Sequence, residues 1–204
     1  MKEFYLNFFQ IYCLCKIKIS RRFANKLSLV ILLFFPSHLF SQSNHTVTFT
    51  NSPSDFNAFE KISASAGNTD YYVTFDQNYL YIGAFNTSGS FATNDNLAIY
   101  IDTDPQSVPI SGNGSATGLL YNGVTPSLPF KADYNVYAEQ STQEANSFSG
   151  GWIAASGPTY STSSNSREVK IPFVSLGNPY ALNITMWMGN AGSIYANAPG
   201  VNIA

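Results

Sequence analysis

An antiparallel β-sandwich is the fold class this sequence predicts, and three observations predict it. Short runs rich in Val, Ile, Tyr, Phe and Thr recur between clusters of Gly, Asn, Pro, Ser and Asp. Several of these runs alternate apolar and polar residues with a period of two, the signature of a half-buried strand. No segment keeps a helical period over the ten or more residues that a helix needs.

The first forty residues stand apart from this pattern. Lys16, Lys18, Arg21, Arg22 and Lys26 precede the apolar run from Leu27 to Phe35, which ends at Pro36 and a small, polar exit at Ser41 and Ser43. A positive stretch, a short apolar run and small residues at the exit predict a secretory signal peptide over residues 1–41, with an over-long N-terminal extension. The run is far short of the roughly 20 residues that span a bilayer. The expectation is therefore an exported protein, secreted or at the cell surface, with no membrane span. Cys13 and Cys15 both fall before the apolar run, where neither can take a lipid anchor.

The mature part is strongly acidic. Six of the ten Lys and Arg but one of the twelve Asp and Glu precede position 42, so residues 42–204 carry four basic against eleven acidic side chains, a formal net charge of −7. Such a surface repels nucleic acid, which is bound by clustered Lys and Arg. Both cysteines leave with the leader, and His45 is the histidine that stays. A cysteine nucleophile and a Cys/His zinc cluster are thereby excluded from residues 42–204, and a Ser-His-Asp triad would have to use His45. About 160 residues can supply one core without disulfides, so 42–204 reads as a single domain.

Taken in order, strands are expected near residues 46–50, 59–63, 71–75, 79–85, 97–102, 130–139, 152–155, 167–173 and 182–188, about nine in all. The third and fourth, joined through Asp76-Gln77-Asn78, predict a hairpin. One short helical turn is expected after Pro172. Over 130–139, Phe130, Ala132, Tyr134, Val136 and Ala138 should face the core, leaving Lys131, Asp133, Asn135, Tyr137 and Glu139 wet. Over 182–188, Leu182, Ile184, Met186 and Met188 should point inward, with Asn183, Thr185 and Trp187 outward. Residues 105–129 form a long Gly/Ser/Asn/Pro stretch anchored by Leu119-Leu120-Tyr121, of a length usual for functional loops. Residues 196–204 read as unfinished loop, as if a final strand or downstream domain followed.

Three stretches together resemble the family-9 carbohydrate-binding modules and their DOMON-like relatives. They are Leu80-Tyr81-Ile82, the run from Asn94 through Asp102-Thr103-Asp104, and Glu168-Val169-Lys170-Ile171-Pro172-Phe173 with Leu176-Gly177. The resemblance covers roughly residues 46–190. It implies a jelly-roll or immunoglobulin-like sandwich that holds sugar on aromatic side chains. A tryptophan is matched by type alone, at Trp187 or Trp152.

The resulting expectation is a non-catalytic module that binds a polysaccharide or other glycan. Trp187 and Tyr137 would stack a pyranose, whose C–H face suits an aromatic ring. Asp133, Asn135, Glu139, Asn183 and Thr185 would bond its hydroxyls. Trp152, after Gly150-Gly151, reads as a core residue. Asp102, Asp104 and Asp95 offer hard oxygens that calcium could use, against the plainer reading of an Asx turn ending a strand. No other cofactor is expected. Glu139, Glu144 and Glu168 are the acids from which a catalytic pair would have to come, but Glu168 reads as an outward residue paired with Lys170. Two other readings compete. A structural or adhesive surface domain would bury Trp187. A haem-binding DOMON-type domain would need an axial ligand, with Met186 and Met188 inward and His45 remote.

Overall fold

Asp76 builds the first hairpin. Its Oδ1 accepts the N–H groups of Asn78 (2.7 Å) and Tyr79 (2.9 Å), closing a turn between two aromatic-rich strands. The computed structural model describes residues 45–62, 67–108, 110–190 and 192–199. The leader predicted over 1–41 lies outside the described residues.

Thirteen strands are described, in chain order β1 (Lys61–Ile62), β2 (Thr69–Phe75), β3 (Tyr79–Asn86), β4 (Asn96–Asp102), β5 (Ser115–Thr117), β6 (Ser127–Ala132), β7 (Tyr134–Ala138), β8 (Gln143–Phe148), β9 (Trp152–Ala155), β10 (Thr159–Thr162), β11 (Ser166–Pro172), β12 (Asn183–Asn190) and β13 (Ser193–Ala198). They form a five-stranded sheet, β1-β2-β3-β11-β10, and a six-stranded sheet, β13-β12-β4-β7-β8-β9, with β5 and β6 as a separate pair. Every pairing described is antiparallel. The fold is an antiparallel β-sandwich.

The alternation sets the core. Tyr71 and Val73, Leu80, Ile82 and Ala84, and Val169 and Ile171 point from the five-stranded sheet toward Leu97, Ile99 and Ile101, Tyr134 and Val136, and Met186 and Met188 of the six-stranded one. Tyr71 also ties the sheets by hydrogen bonds. Its hydroxyl donates to Ala196 O (3.1 Å) and accepts from the Met188 N–H (2.9 Å), beside the register shift at Met188/Gly189 that leaves those backbone groups to it. Arg167 is fully buried at the end of β11 and bonds the backbone oxygens of Asp95, Ala92, Ser163 and Ser166. Burial lowers its pKa, yet four carbonyls fix its position and with it the loop before β4. After β11 the expected short turn is present as a 3-10 turn, Phe173–Leu176, closed by Gly177 at φ 77°.

Two departures from the sequence reading shape the surface. Residues 46–50 form no strand; they belong to a strap, residues 45–57, that lays Val47, Phe49 and Phe56 on Tyr72, Tyr81 and Phe85 of the five-stranded sheet. The run 130–139 is two strands in different layers. Phe130 and Ala132 of β6 pack with Leu128 on Ala98, Tyr100 and Trp187, while Tyr134, Val136 and Ala138 of β7 enter the main core. The chain crosses from the cover into the sheet at Asp133. Residues 193–198, partly read as loop, make the edge strand β13, and β8 and β10 are strands whose polar composition hid them. No helix among the described residues is long and apolar enough to cross a membrane.

Candidate functional site

The face expected to be wet is roofed. Segment 115–132 returns over the outer side of the six-stranded sheet, so Trp187 is 2% exposed and Tyr137 is 4% exposed. Trp187 stacks on Tyr100 at 5.1 Å, and Tyr100 meets Trp152 edge-on at 5.7 Å. Trp152 is half-buried and donates its indole N–H to Thr117 O (3.3 Å). Trp187 and Tyr137 are thus roofed residues and not the open stacking platform that the alternation predicted. The physical reason is the inserted 115–132 segment, whose Leu128 and Phe130 pack on Trp187 and whose Tyr121 stacks on Tyr137.

The expected polar partners separate into three places. Tyr137, Asn135 and Glu139 lie together at a rim closed by Tyr121. Tyr121 stacks on Tyr137 (4.1 Å), and its hydroxyl donates to Asn135 Oδ1 (2.6 Å) and accepts from Asn146 Nδ2 (3.2 Å). Tyr137 donates to Glu139, and Asn122 Nδ2 lies within bonding distance of Glu139 Oε1 (3.0 Å), Tyr137 Oη (3.2 Å) and Asn96 Oδ1 (3.2 Å). Burial pushes the Tyr137 hydroxyl pKa up, and the bond to Glu139 adds to it. This network is internally satisfied. Thr185 is 1% exposed beneath the cover, its hydroxyl oxygen without a hydrogen-bond partner. Asn183 points toward the end of β4.

At that end the remaining acids converge. Asp133 is stitched between two neighbours, its N–H donating to Ile101 O (2.8 Å) and its C=O accepting from the Phe148 N–H (2.8 Å). Its Oδ2 accepts the N–H (2.8 Å) and the hydroxyl (3.1 Å) of Thr103. Asp102 Oδ1 accepts the Asp104 N–H (3.1 Å), the Asx turn of the plainer sequence reading, and Oδ2 accepts Asn183 Nδ2 (3.1 Å). Asp104 Oδ2 accepts Asn113 Nδ2 (3.0 Å). Asp102, Asp104 and Asp133 each bring a carboxylate oxygen within 4.8 Å of the others. Oxygens so spaced could share a cation held at about 2.3–2.6 Å. Asp95 is no part of this group. It sits before the opposite end of β4, where its Oδ1 accepts Asn190 Nδ2 (2.6 Å) and its Oδ2 the Ala92 N–H (2.8 Å). Seven residues of extended strand separate the two ends, which the 1,3 spacing of Asp102 and Asp104 could not reveal.

Burial raises the Asp102 pKa to about 6, with the charges of Asp133 and Asp104 adding to it. Beside these acids opens a pocket of about 570 Å³, lined by Thr103, Asp104, Asn113, Asp133, Phe148 and Ser149, among others. Its floor needs Gly114, at φ +78°, where a Cβ would come within 2.6 Å of Ala132 O and 2.9 Å of Asp133 Oδ1. Asp133 Oδ1 and Asp104 Oδ1 accept no hydrogen bond from a described residue, and Phe148 offers a half-buried ring braced edge-on by Trp152 at 5.4 Å. Sequence reasoning missed Phe148, Asn113 and Tyr121. The one local signal for Phe148 is its place at the end of a polar strand, before Ser-Gly-Gly. No protein-family model matches the sequence, and no curated protein matches it.

Proposed function

We propose that this domain is a non-catalytic carbohydrate-binding module that takes its sugar at the pocket beside Asp104 and Asp133. The observation that supports it is the pairing of two carboxylate oxygens, which accept no hydrogen bond from a described residue, with one half-buried aromatic ring across an open pocket. A pyranose can bond neighbouring hydroxyls to the acids and rest its C–H face on Phe148. The surrounding acids and the net charge of −7 over residues 42–204 favour a neutral or cationic glycan over an acidic one. Export through the predicted leader places the module outside the cell.

Affinity electrophoresis against a panel of polysaccharides, run with and without calcium, tests this. The expected result is retardation on one neutral glycan, lost in Phe148→Ala and in Asp133→Asn. A second reading, a structural or adhesive surface domain with no small ligand, is favoured by the burial of Trp187. No retardation on any polysaccharide would select it.

A further inference from the structure

Glu168 is fully buried on the outer face of the five-stranded sheet, where the alternation of β11 predicted an exposed residue paired with Lys170. The Lys170 ammonium instead lies over the Tyr79 ring at 4.6 Å. What covers Glu168 is the strap. Asn51 adopts a left-handed backbone at φ 62° that turns its N–H onto Glu168 Oε2 (3.0 Å). Its side-chain oxygen accepts the hydroxyls of Ser166 (2.8 Å) and Ser161 (3.1 Å), anchoring the strap to β11 and β10. Oε1 of Glu168 has no hydrogen-bond partner. Besides the Asn51 N–H, a second carboxylate on the strap, Asp55, lies close enough for its charge to bear on this side chain and raise its pKa. Asp55 in turn accepts the Thr50 N–H and hydroxyl, both at 2.6 Å. Two carboxylates side by side are satisfied only when a proton lies between them.

We propose that Glu168 is a proton-operated latch for the strap: neutral, it binds the Asn51 N–H and donates its proton to Asp55; ionised, it repels Asp55 and releases residues 45–57 from the sheet. The other groups around it leave the charge unanswered. Gly83 of β3 and Ser161 of β10 carry none, Arg167 points to the opposite face, and Glu60 is bound by Thr74 and paired with His45. Release would uncover Tyr72, Tyr81 and Phe85, which now pack against Phe49 and Phe56. Burial, then the Asp55 charge, raise the Glu168 pKa from 4.5 to about 8. The closed strap therefore holds the proton more tightly than the open one. Closure is strongest below the ordinary glutamate value, weakens about tenfold per pH unit through the interval up to the raised value, and levels off above it.

Hydrogen exchange of the full chain, followed by mass spectrometry at pH 5, 7 and 9 and corrected for intrinsic exchange, tests the latch. Protection of the strap amides should fall by roughly tenfold per unit toward pH 8, while β4 and β12 keep theirs. In Glu168→Gln, which is neutral and donates an amide N–H to Asp55, strap protection should be the same at pH 7 and pH 9, so that any slope left at lower pH belongs to the His45–Glu60 pair of the strap. A flat wild-type profile, or the wild-type slope persisting between pH 7 and pH 9 in Glu168→Gln, overturns the proposal. If Glu168→Gln fails to fold, Asp55→Asn must carry strap protection to higher pH, and an unmoved midpoint overturns it equally.

Discussion

Both outer faces of this sandwich are covered, but by different devices. The six-stranded sheet is roofed by segment 115–132, inserted between β4 and β7. It rejoins the sheet at Asp133, whose backbone bonds run to both β4 and β8. The five-stranded sheet is covered by the strap, residues 45–57, which packs Val47, Phe49 and Phe56 on it and is anchored through Asn51 to Glu168, Ser161 and Ser166. The first cover is continuous with the ladder at one end and cannot lift without breaking strand pairing. The second touches the sheet through side chains, and one of its anchors is a buried acid. Period-two alternation says which residues share a face and says nothing of whether water reaches it. The aromatic rings interleaved with Asn, Thr and Glu on both outer faces are the mark of faces that are covered.

The roof is best broken at Trp187. Trp187→Ala should cost about 3–5 kcal/mol in urea unfolding, because the cavity would lie between Tyr100 and Leu128 with no solvent to fill it. A loss below about 1 kcal/mol would mean the roof does not bear on the ring. The strap is tested at Gly83, where a Cβ would meet Phe56 Cε2 at 2.7 Å. Gly83→Ala should cost about 1–3 kcal/mol and loosen the strap while the roof holds, seen as lost amide protection confined to residues 45–57. Equal loosening of both covers would erase the distinction between them.

How much of this was legible can be read from particular residues. The hairpin at Asp76, the core faces of β3, β4 and β12, and the turn after Pro172 follow from alternation and turn chemistry, which are local. Strands β8 and β10 were not legible, because Gln143-Glu144-Ala145-Asn146-Ser147 and Thr159-Tyr160-Ser161-Thr162 carry little hydrophobic signal of their own. Their pairing is set by the neighbouring strands. The break at Asp133 was hidden because β6 and β7 keep the same parity across it while changing layers. The acid site was half legible: Asp102 and Asp104 are neighbours in sequence, whereas Asp133 joins them through a register and Asp95 is carried away by the length of β4.

Lower pH should tighten the end of β4 as well as the strap. A buried aspartate raised to about 6 binds its proton better folded than unfolded. Its contribution is therefore full below about pH 4 and is lost as pH rises through 6. The urea midpoint should climb between pH 7 and pH 4. Asp102→Asn should remove part of that climb and Glu168→Gln another part, additively, since the two acids sit on different sheets. A profile unchanged in Asp102→Asn would place the titration elsewhere.

The smallest effect on stability is expected where the largest effect on binding is. Phe148 is half-buried but lines the open pocket and touches Trp152 edge-on, so Phe148→Ala leaves no closed cavity behind. Its cost should stay near or below about 1 kcal/mol, several-fold less than Trp187→Ala, because water can enter the space the ring vacates. Glycan retardation should nevertheless disappear in Phe148→Ala and survive in any Trp187 variant that still folds, such as Trp187→Phe. The reverse outcome, retention lost with Trp187→Phe and kept with Phe148→Ala, would return the sugar to the roofed face and require the 115–132 segment to open.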